Sequence, residues 1–208
     1  LIAIISHLGT LFYCNSYLYA IIVLCHFEGD VILNILKPQE IFLNNLENKN
    51  IDILNTFEED TVIKKALFES EEMLNFNAYA LNFEYCKFIS INLQNAVFEK
   101  VAFNDVIFSN CNLSNCKFVD CYFARCEFDC CKLAGSSFTS NRLSNIGFIE
   151  TNANFINLTD ASLDKVLFKK TSLRNSYFSE TSIKNIYFDE ADLSLTQIFK
   201  TSFKDIDL

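Results

Sequence analysis

The sequence predicts an all-β solenoid over its last 128 residues, because one five-residue pattern runs from Leu81 to Leu208 without insertion or deletion. Every fifth position from Phe83 to Leu208 is large and apolar: of these 26 positions 14 are Phe, nine are Leu, two are Ile and one is Ala153. A period of five fits neither an α-helix nor a plain strand. A short fixed repeat is instead typical of solenoids.

A second phase of the repeat, two residues before each large position, is small or β-branched. In 24 of 26 cases it holds Ala, Ser, Thr, Cys, Val or Ile, and none of the 28 charged residues of this stretch occupies either phase. Because charged side chains are almost never fully buried unless they are paired, both phases are expected to point into a narrow tube. The other three positions of each repeat are expected to face water.

The repeat resembles that of the pentapeptide-repeat proteins, whose unit is roughly Ala-(Asp/Asn)-Leu-x-x. The resemblance is carried by segments such as 111–115 (CNLSN), 116–120 (CKFVD) and 191–195 (ADLSL). It implies a right-handed quadrilateral parallel β-helix with four pentapeptides per coil. The 26 repeats then give about six and a half coils, and a rod about 30 Å long at the spacing of paired strands.

Reading the repeat at a period of 20 residues separates four internal columns. One column is aromatic over six coils: Phe88, Phe108, Phe128, Phe148, Phe168 and Phe188. A column of Leu is interrupted at Ala153, and either Ile156 or Phe155 is expected to fill the space. Asn141 falls in the inward small phase, so its amide requires backbone partners.

Residues 1–27 form an apolar segment without a charged side chain. Its length suits a membrane-spanning helix, but no basic residues flank it to set an orientation. The segment is therefore interpreted either as a membrane anchor or as a buried helix.

Residues 28–80 are predicted to be a helical N-terminal cap region, followed by the solenoid at 81–208. Pro38 suits the first turn of one helix. Asp60 could cap a second helix, whose apolar face would include Ile63, Leu67 and Leu74. This helix is expected to cover the first coil, because a bare terminal coil exposes apolar core and unpaired strand edges.

The pattern continues to Leu208, which is itself an inward position. Some proteins of the family that the repeat resembles dimerise end to end. Either the chain is truncated, or its last coil stacks on another copy. The resemblance implies the second, an end-to-end homodimer through the coil that ends at Leu208.

No catalytic, cofactor or metal site is predicted from the sequence. Six cysteines recur in the small inward phase and are interpreted as buried filler, because they lie on successive faces and do not converge as zinc ligands must: Cys86, Cys111, Cys116, Cys121, Cys126 and Cys131. Cys130 faces outward, but no basic group lies beside it to lower its pKa. An odd total of nine cysteines fits a reducing compartment, so a cytoplasmic location is expected, with membrane association as the alternative.

Outward apolar residues suggest a partner surface. They lie on the aromatic face and near the C-terminal end: Ile89, Ile107, Ile149, Leu167, Tyr187, Tyr177, Leu195 and Phe199. The cluster Lys165, Lys169, Lys170 and Arg174 is interpreted as a solvated corner, so no nucleic-acid partner is expected.

The sequence favours a non-enzymatic scaffold, of bacterial origin, that binds an unidentified protein. Two alternatives stay open. The first follows from the resemblance: a DNA-mimic inhibitor or protector of DNA gyrase, which requires a strongly negative rod, whereas residues 81–208 carry 13 basic and 15 acidic side chains. The second is a fragment of a membrane-tethered or secreted effector, with residues 1–27 as its anchor or export segment.

Overall fold

The protein is described here by a computed structural model, which defines residues 2–5, 11–14, 38, 46–48 and 58–204. Residues 58–204 form a parallel β-solenoid of about seven turns, and all the regular elements among the described residues are strands. Strand pairs of the solenoid keep a register of 20 residues, as in Phe103↔Phe123 and Phe148↔Phe168. The predicted four-sided coil is therefore confirmed.

The strands before the solenoid are β1 (Ile2–Ile5), β2 (Leu11–Cys14) and β3 (Glu47–Asn48). The first half of the solenoid contains β4 (Val62–Lys64), β5 (Ala66–Glu69), β6 (Asn77–Tyr79), β7 (Asn82–Glu84), β8 (Lys87–Ile89), β9 (Val97–Glu99), β10 (Ala102–Asn104), β11 (Ile107–Ser109) and β12 (Lys117–Val119). The second half contains β13 (Tyr122–Asp129), β14 (Arg142–Ile149), β15 (Ser162–Lys169), β16 (Tyr177–Ser179), β17 (Ser182–Asp189), β18 (Gln197–Phe199) and β19 (Ser202–Lys204).

The aromatic column fills one side of the tube over seven coils. Rings one coil apart stack nearly parallel, with centroids 4.8 Å apart between Phe68 and Phe88 and 4.9 Å apart between Phe108 and Phe128. Neighbouring columns meet edge to face, as Phe103 and Phe108 do at 5.6 Å. Offset stacking and edge-to-face contact are the favoured arrangements of aromatic pairs. The core is therefore ordered in two directions, along the rod and across it.

The small inward positions hold neighbouring coils together. Their thiol or hydroxyl groups donate to the carbonyl oxygen 23 residues earlier, as Cys116 Sγ does to Leu93 at 3.0 Å and Thr171 Oγ1 to Phe148 at 2.8 Å. Asn141 follows the same rule through Nδ2, which donates to the Phe118 carbonyl at 3.0 Å, while its Oδ1 accepts from the Cys121 amide at 2.8 Å. The expectation that the buried Asn141 finds backbone partners is confirmed.

At two places in the core a large and a small inward residue exchange positions, so that the pair fills a similar volume. Ala153 replaces a large residue, and the buried Ile156 occupies the following small position. Phe155, the other residue expected to fill this space, is exposed, so that part of the prediction is wrong. In the first coil Phe76 and Ala78 exchange roles in the same way, and both are buried.

Each corner of the coil is a residue in the left-handed region. Every fifth residue from Asp60 to Lys200 has a φ between 47° and 73°. This conformation is uncommon for residues other than Gly, and Asn and Asp tolerate it best; they occupy 11 of these 29 corners. Gly135 is the glycine among them, and a Cβ at this position would collide with Asn115 Oδ1.

The helix predicted to begin at Asp60 is wrong. Residues 62–64, 66–69 and 77–79 are strands that pair with the next coil, as in Ile63↔Phe83 and Phe68↔Phe88. Ile63 and Phe68 continue the inward phase and are buried, whereas Leu74, assigned to the apolar helix face, is exposed. Pairing of each repeat with the coil above it outweighs the local helical spacing, and the solenoid extends one coil before Leu81.

One strand of the first coil pairs with residues that precede the solenoid. Strand β3 pairs with β5, and the Glu47 amide donates to the Lys65 carbonyl at 2.8 Å. Pro38 is buried, but the rest of the helix expected after it lies outside the described residues. In the apolar segment 1–27, β1 and β2 pair antiparallel where a helix was expected, and its other residues also lie outside the described part.

At the other end, the last four described residues of the large inward phase are only partly buried: Phe188, Leu193, Ile198 and Phe203. Leu208, on which the end-to-end dimer was predicted, lies outside the described residues.

Replacing Phe128 by Asp is expected to abolish folding. Phe128 is fully buried between Phe108 and Phe148, with ring centroids 4.9 and 5.0 Å away, and a carboxylate there would have neither water nor a counter-ion. Far-UV circular dichroism and urea unfolding measure the effect. The control is Phe128→Leu, which places in this column a residue that other columns use and should cost about 1–2 kcal/mol. A folded Asp variant of wild-type stability would show that this column does not face inward.

Gly135→Ala and Gly147→Ala should differ in their effects on stability. At Gly135 the left-handed backbone and the collision with Asn115 should cost about 1–2 kcal/mol. At Gly147 the nearest atom to an added Cβ is Ile149 Cδ1 at 3.5 Å, an ordinary contact, so this variant should match the wild type or gain up to about 1 kcal/mol. Urea unfolding of both variants provides the comparison, and equal effects would contradict the corner assignment.

Candidate interaction surfaces

Five of the predicted surface residues lie on the outer side of the face whose inward column is Phe68 to Phe188, here called the Phe face. All five are partly buried and point away from the core: Ile89, Ile107, Ile149, Leu167 and Tyr187. They belong to strands β8, β11, β14, β15 and β17, which stack in register. The structure thus places them on one face, as predicted.

The five residues do not form one continuous strip. Ile107 pairs in register with Glu127, and Asp129 pairs with Ile149. The coil containing Glu127 and Asp129 therefore separates Ile89 and Ile107 from the other three. The Phe face carries two small apolar islands with charged residues between them.

Ile149 is partly sheltered by a local feature that the sequence did not suggest. Gly147, two residues earlier on the same strand, leaves open space that the Ile149 side chain approaches, with Cδ1 3.5 Å from the position of a Cβ at Gly147. Leu167 follows Gly147 in register, and Tyr187 follows Leu167. This island is therefore a shallow, half-buried surface.

The other three predicted residues lie near a corner of the last two coils. Tyr177, Leu195 and Phe199 are all exposed. The structure adds Phe155 to them, with 54 % of its surface exposed. We name these four residues the corner patch.

The 20-residue register brings the corner patch together. Phe155 and Leu195 occupy the same corner column, two coils apart, with Asn175 between them. Tyr177 lies beside this column, in register with Asn157 and Gln197. Phe199 lies on the adjacent coil opposite Ser179, and therefore diagonally across from Tyr177, which is opposite Gln197.

Phe155 was missed as a surface residue because it was considered only as filler for the space at Ala153. The sequence did contain the correct signal. Phe155 stands two residues after the inward position, and that phase is a left-handed corner in every described repeat. A corner side chain points outward whatever its chemistry.

The surroundings of the corner patch are polar but carry little net charge. Asn154, Asn157 and Gln197 border it. The nearby cations are paired: Arg174 Nη1 with Asp192 Oδ2 at 3.1 Å, and Lys200 Nζ with Glu180 Oε1 at 3.6 Å. Lys200 Nζ also lies 5.2 Å from the centroid of the Phe199 ring. An apolar centre with a neutral polar border is typical of protein interfaces.

Charged side chains elsewhere on the solenoid pair between neighbouring coils. Among the described residues the pairs with a spacing of 20 are Lys64–Glu84, Asp105–Arg125, Glu150–Lys170, Lys169–Asp189 and Glu180–Lys200. The predicted basic group is therefore largely neutralised, since Lys169, Lys170 and Arg174 each contact a carboxylate.

One of these pairs is buried. Asp105 is 1 % exposed and accepts two hydrogen bonds from Arg125, from Nε at 2.9 Å and from Nη2 at 2.6 Å. The hydrogen bond to Asp105 raises the pKa of Arg125. Bidentate pairing of this kind is geometrically specific, so it fixes the corner rather than offering a free charge to a ligand.

The excess acidic charge lies in the first coil. Residues 58–80 carry two basic and six acidic side chains, whereas residues 81–204 carry 13 of each. The greater part of the solenoid therefore has no net charge.

Cys130 is exposed, as predicted, and its environment is acidic. Its Sγ lies 3.4 Å from Asp129 Oδ1 and 4.0 Å from Glu150 Oε2. Partial burial, the hydrogen bond with Asp129 and the charges of both carboxylates raise the pKa of Cys130. Since the thiolate is the reactive form, this cysteine is not an activated nucleophile.

Within the described part of the chain, no group of three or more His, Cys, Asp and Glu side chains is arranged to hold a metal ion. The same residues contain no helix of sufficient length and hydropathy to cross a membrane.

Several solved structures have a similar architecture. A trypsin-treated variant of QnrB1, a plasmid-mediated fluoroquinolone resistance protein, is 13 % identical; the match covers 70 % of this chain and 85 % of that chain, with a TM-score of 0.39. A pentapeptide repeat protein from the thylakoid lumen of Arabidopsis thaliana is 22 % identical over 49 % of this chain and 64 % of its own, with a TM-score of 0.29. HetL from the cyanobacterium Nostoc is 6 % identical over 67 % and 87 %, with a TM-score of 0.25. Among curated proteins, none matches the sequence.

Family models match the repeat directly. The model of the pentapeptide repeat region matches residues 121–198. A second model, of nine pentapeptide repeats, matches residues 76–127. Together they span 76–198, the same part of the chain in which the period of five and the stacked coils were found. The protein therefore belongs to the pentapeptide-repeat family.

Proposed function

We propose that this protein is a non-enzymatic scaffold that binds another protein through the corner patch. The observation that carries the proposal is the exposure of Phe155, Tyr177, Leu195 and Phe199 near one corner of a solenoid whose other large apolar residues mostly fill its core. Contiguous exposed apolar groups mark interaction sites more often than scattered ones do. Aromatic side chains, moreover, dominate the binding energy of many interfaces.

The backbone at the corner patch supports a binding role. Phe155 and Leu195 have φ values of 60° and 62°, a conformation that is unfavourable for large apolar side chains. Asn175, between them in the same column, shows which residue type suits the corner. Phe155 and Leu195 thus present large apolar side chains at corners whose backbone suits Asn or Gly better, which supports a role in contact with a partner.

The corner patch is a better binding surface than the Phe face. The apolar residues of the Phe face are half buried and divided by Glu127 and Asp129. A partner would gain little additional buried area there. We assign the Phe face a secondary role, as the rigid support behind the binding surface.

The distribution of charge favours a protein partner over imitation of duplex DNA. A protein that replaces DNA on an enzyme must present a dense row of negative charges, since duplex DNA carries one phosphate charge per about 1.7 Å of its axis. Residues 81–204 carry equal numbers of acidic and basic side chains. Many of these are paired across coils. We therefore favour the scaffold role over protection of DNA gyrase.

The double variant Phe155→Asn/Leu195→Asn is expected to lose binding while it keeps the fold. Asn is already present at Asn175 in this column, so the variant should be as stable as the wild type or more stable by up to about 1 kcal/mol. The measurement is quantitative affinity purification from the source cells with the tagged full-length chain, followed by urea unfolding of each variant.

The matched control is Leu74→Asn. Leu74 is an exposed apolar residue at the far end of the solenoid, and Asn154 occupies the equivalent place four coils later. The proposal predicts a partner that is enriched with the wild type and with the Leu74 variant and is lost with the double variant. Retention of that partner by the double variant, its equal loss with the Leu74 variant, or no enriched partner for the wild type would contradict the proposal.

A further inference from the structure

The six inward cysteines are more than filler, because each one contributes a hydrogen bond between coils. We name them the thiol row: Cys86, Cys111, Cys116, Cys121, Cys126 and Cys131. Each is 3 % exposed or less. Each Sγ donates to a backbone carbonyl 23 residues earlier, at 3.0 to 3.4 Å.

Several of the equivalent positions in later coils hold hydroxyl groups instead, and the others hold aliphatic side chains or the amide of Asn141. Thr151, Thr171 and Thr181 donate to the equivalent carbonyls at 2.8 to 3.0 Å. These residues cannot be oxidised by the agents that attack thiols. Thiol chemistry at the inward positions of the described solenoid is therefore confined to residues 86–131.

The closed tube has no space for a modified sulfur. Cys126 lies between Val106 below and Ile146 above in its column, and all three are buried. Cys116 similarly lies between Ala96 and Ser136, both fully buried. Protein interiors are packed without voids of the size of an added group. A sulfur that carries anything larger than hydrogen can be accommodated only if the coils separate.

We propose that residues 86–131 form a redox-sensitive latch, in which closed coils protect the thiol row and modification by a small disulfide such as oxidised glutathione holds the coils open. Reaction requires transient opening of the coils. Once a sulfur is modified, the adduct prevents closure. Reduction of the adduct allows the coils to close again.

The reaction is a thiol–disulfide exchange and is balanced without another reagent. The cysteine sulfur forms a bond to one sulfur of oxidised glutathione, whose S–S bond breaks. The leaving glutathione sulfur takes up the proton lost by the cysteine. The protein sulfur is oxidised to a mixed disulfide, and one glutathione is reduced to the thiol.

The closed state makes the thiol row inert. Burial raises the pKa of Cys86 to about 11 and the pKa values of Cys116, Cys121 and Cys126 to about 12. The hydrogen bond with Cys111, together with burial, raises the pKa of Cys131, and the same hydrogen bond lowers the pKa of Cys111. Cys111 is nevertheless only 1 % exposed. Because a thiolate must reach the disulfide that it attacks, Cys111 reacts, like the rest of the row, only from an opened state. Cys130 is exposed and provides an internal reference that reacts without opening.

The test is incubation of the full-length protein with oxidised glutathione, with reduced glutathione as the parallel sample. Far-UV circular dichroism follows the solenoid, and mass spectrometry of peptides locates each adduct. We expect Cys130 to be modified first without a change in the spectrum. Adducts on the thiol row should then accumulate in step with loss of the β-sheet signal, and dithiothreitol should restore that signal.

A control variant replaces each cysteine of the row with the residue that another coil places in the same column. The substitutions are Cys86→Val, Cys111→Ile, Cys116→Ala, Cys121→Val, Cys126→Val and Cys131→Thr, after Val106, Ile91, Ala96, Val101, Val106 and Thr151. This variant should keep its spectrum in oxidised glutathione. A second variant with Ser at all six positions keeps the donors, as Ser136 and Ser176 do, and should behave in the same way.

Three results would overturn the latch. One is modification of the thiol row with an unchanged spectrum, including a Cys111–Cys131 disulfide within an intact solenoid. Another is a thiol row that stays unmodified when the incubation lasts longer than the time in which the whole solenoid unfolds, as measured by urea unfolding. The third is loss of the spectrum of both variants that lack the thiol row, in oxidised glutathione and at the wild-type rate.

Discussion

The structure depends on how inward side chains fill a tube that is only one residue wide on each face. Each pentapeptide supplies one large and one small side chain, and the volume they fill together matters more than their order. Phe76 with Ala78, and Ala153 with Ile156, reverse the sizes and stay buried. Stacking of rings one coil apart and hydrogen bonds to carbonyls 23 residues earlier then fix each coil on the one before it. The left-handed corners follow, because only they turn the chain onto the next face.

This constraint explains which parts of the fold could be predicted from the sequence. The columns and the backbone bonding of Asn141 were predictable, because every repeat from Leu81 onward obeys the same phase. The first coil was misassigned because Glu71, Phe76 and Ala78 depart from the pattern, while Ile63, Leu67 and Leu74 are spaced as on a helix. Pairing with the next coil decides its structure, and that interaction is not local in sequence. Phe155 was misplaced because its corner phase was given less weight than its apolar character.

The same geometry determines what the surface can do. Outward residues 20 apart are neighbours, so charges of opposite sign pair along the rod, as Glu150 and Lys170 do. Residues 81–204 carry no net charge. The distinguishing feature of their outer surface is the corner patch. Its location was predictable in part, since Tyr177, Leu195 and Phe199 are in outward phases. Their position near the corner column of Phe155 followed only from the 20-residue register. The space that Gly147 leaves for the Ile149 side chain could not be predicted, because it depends on the direction of that side chain, which the periodicity does not specify.

The stacking of inward rings at 20-residue intervals is the claim on which this account depends. The most direct measurement is nuclear Overhauser spectroscopy of the full-length protein with isotopically labelled phenylalanine. The account predicts ring-to-ring contacts in sequence along Phe68, Phe88, Phe108 and Phe128, whose centroids are separated by 4.8 to 4.9 Å. Absence of these contacts in a folded protein, or contacts between residues three and four apart over 60–74, would contradict it.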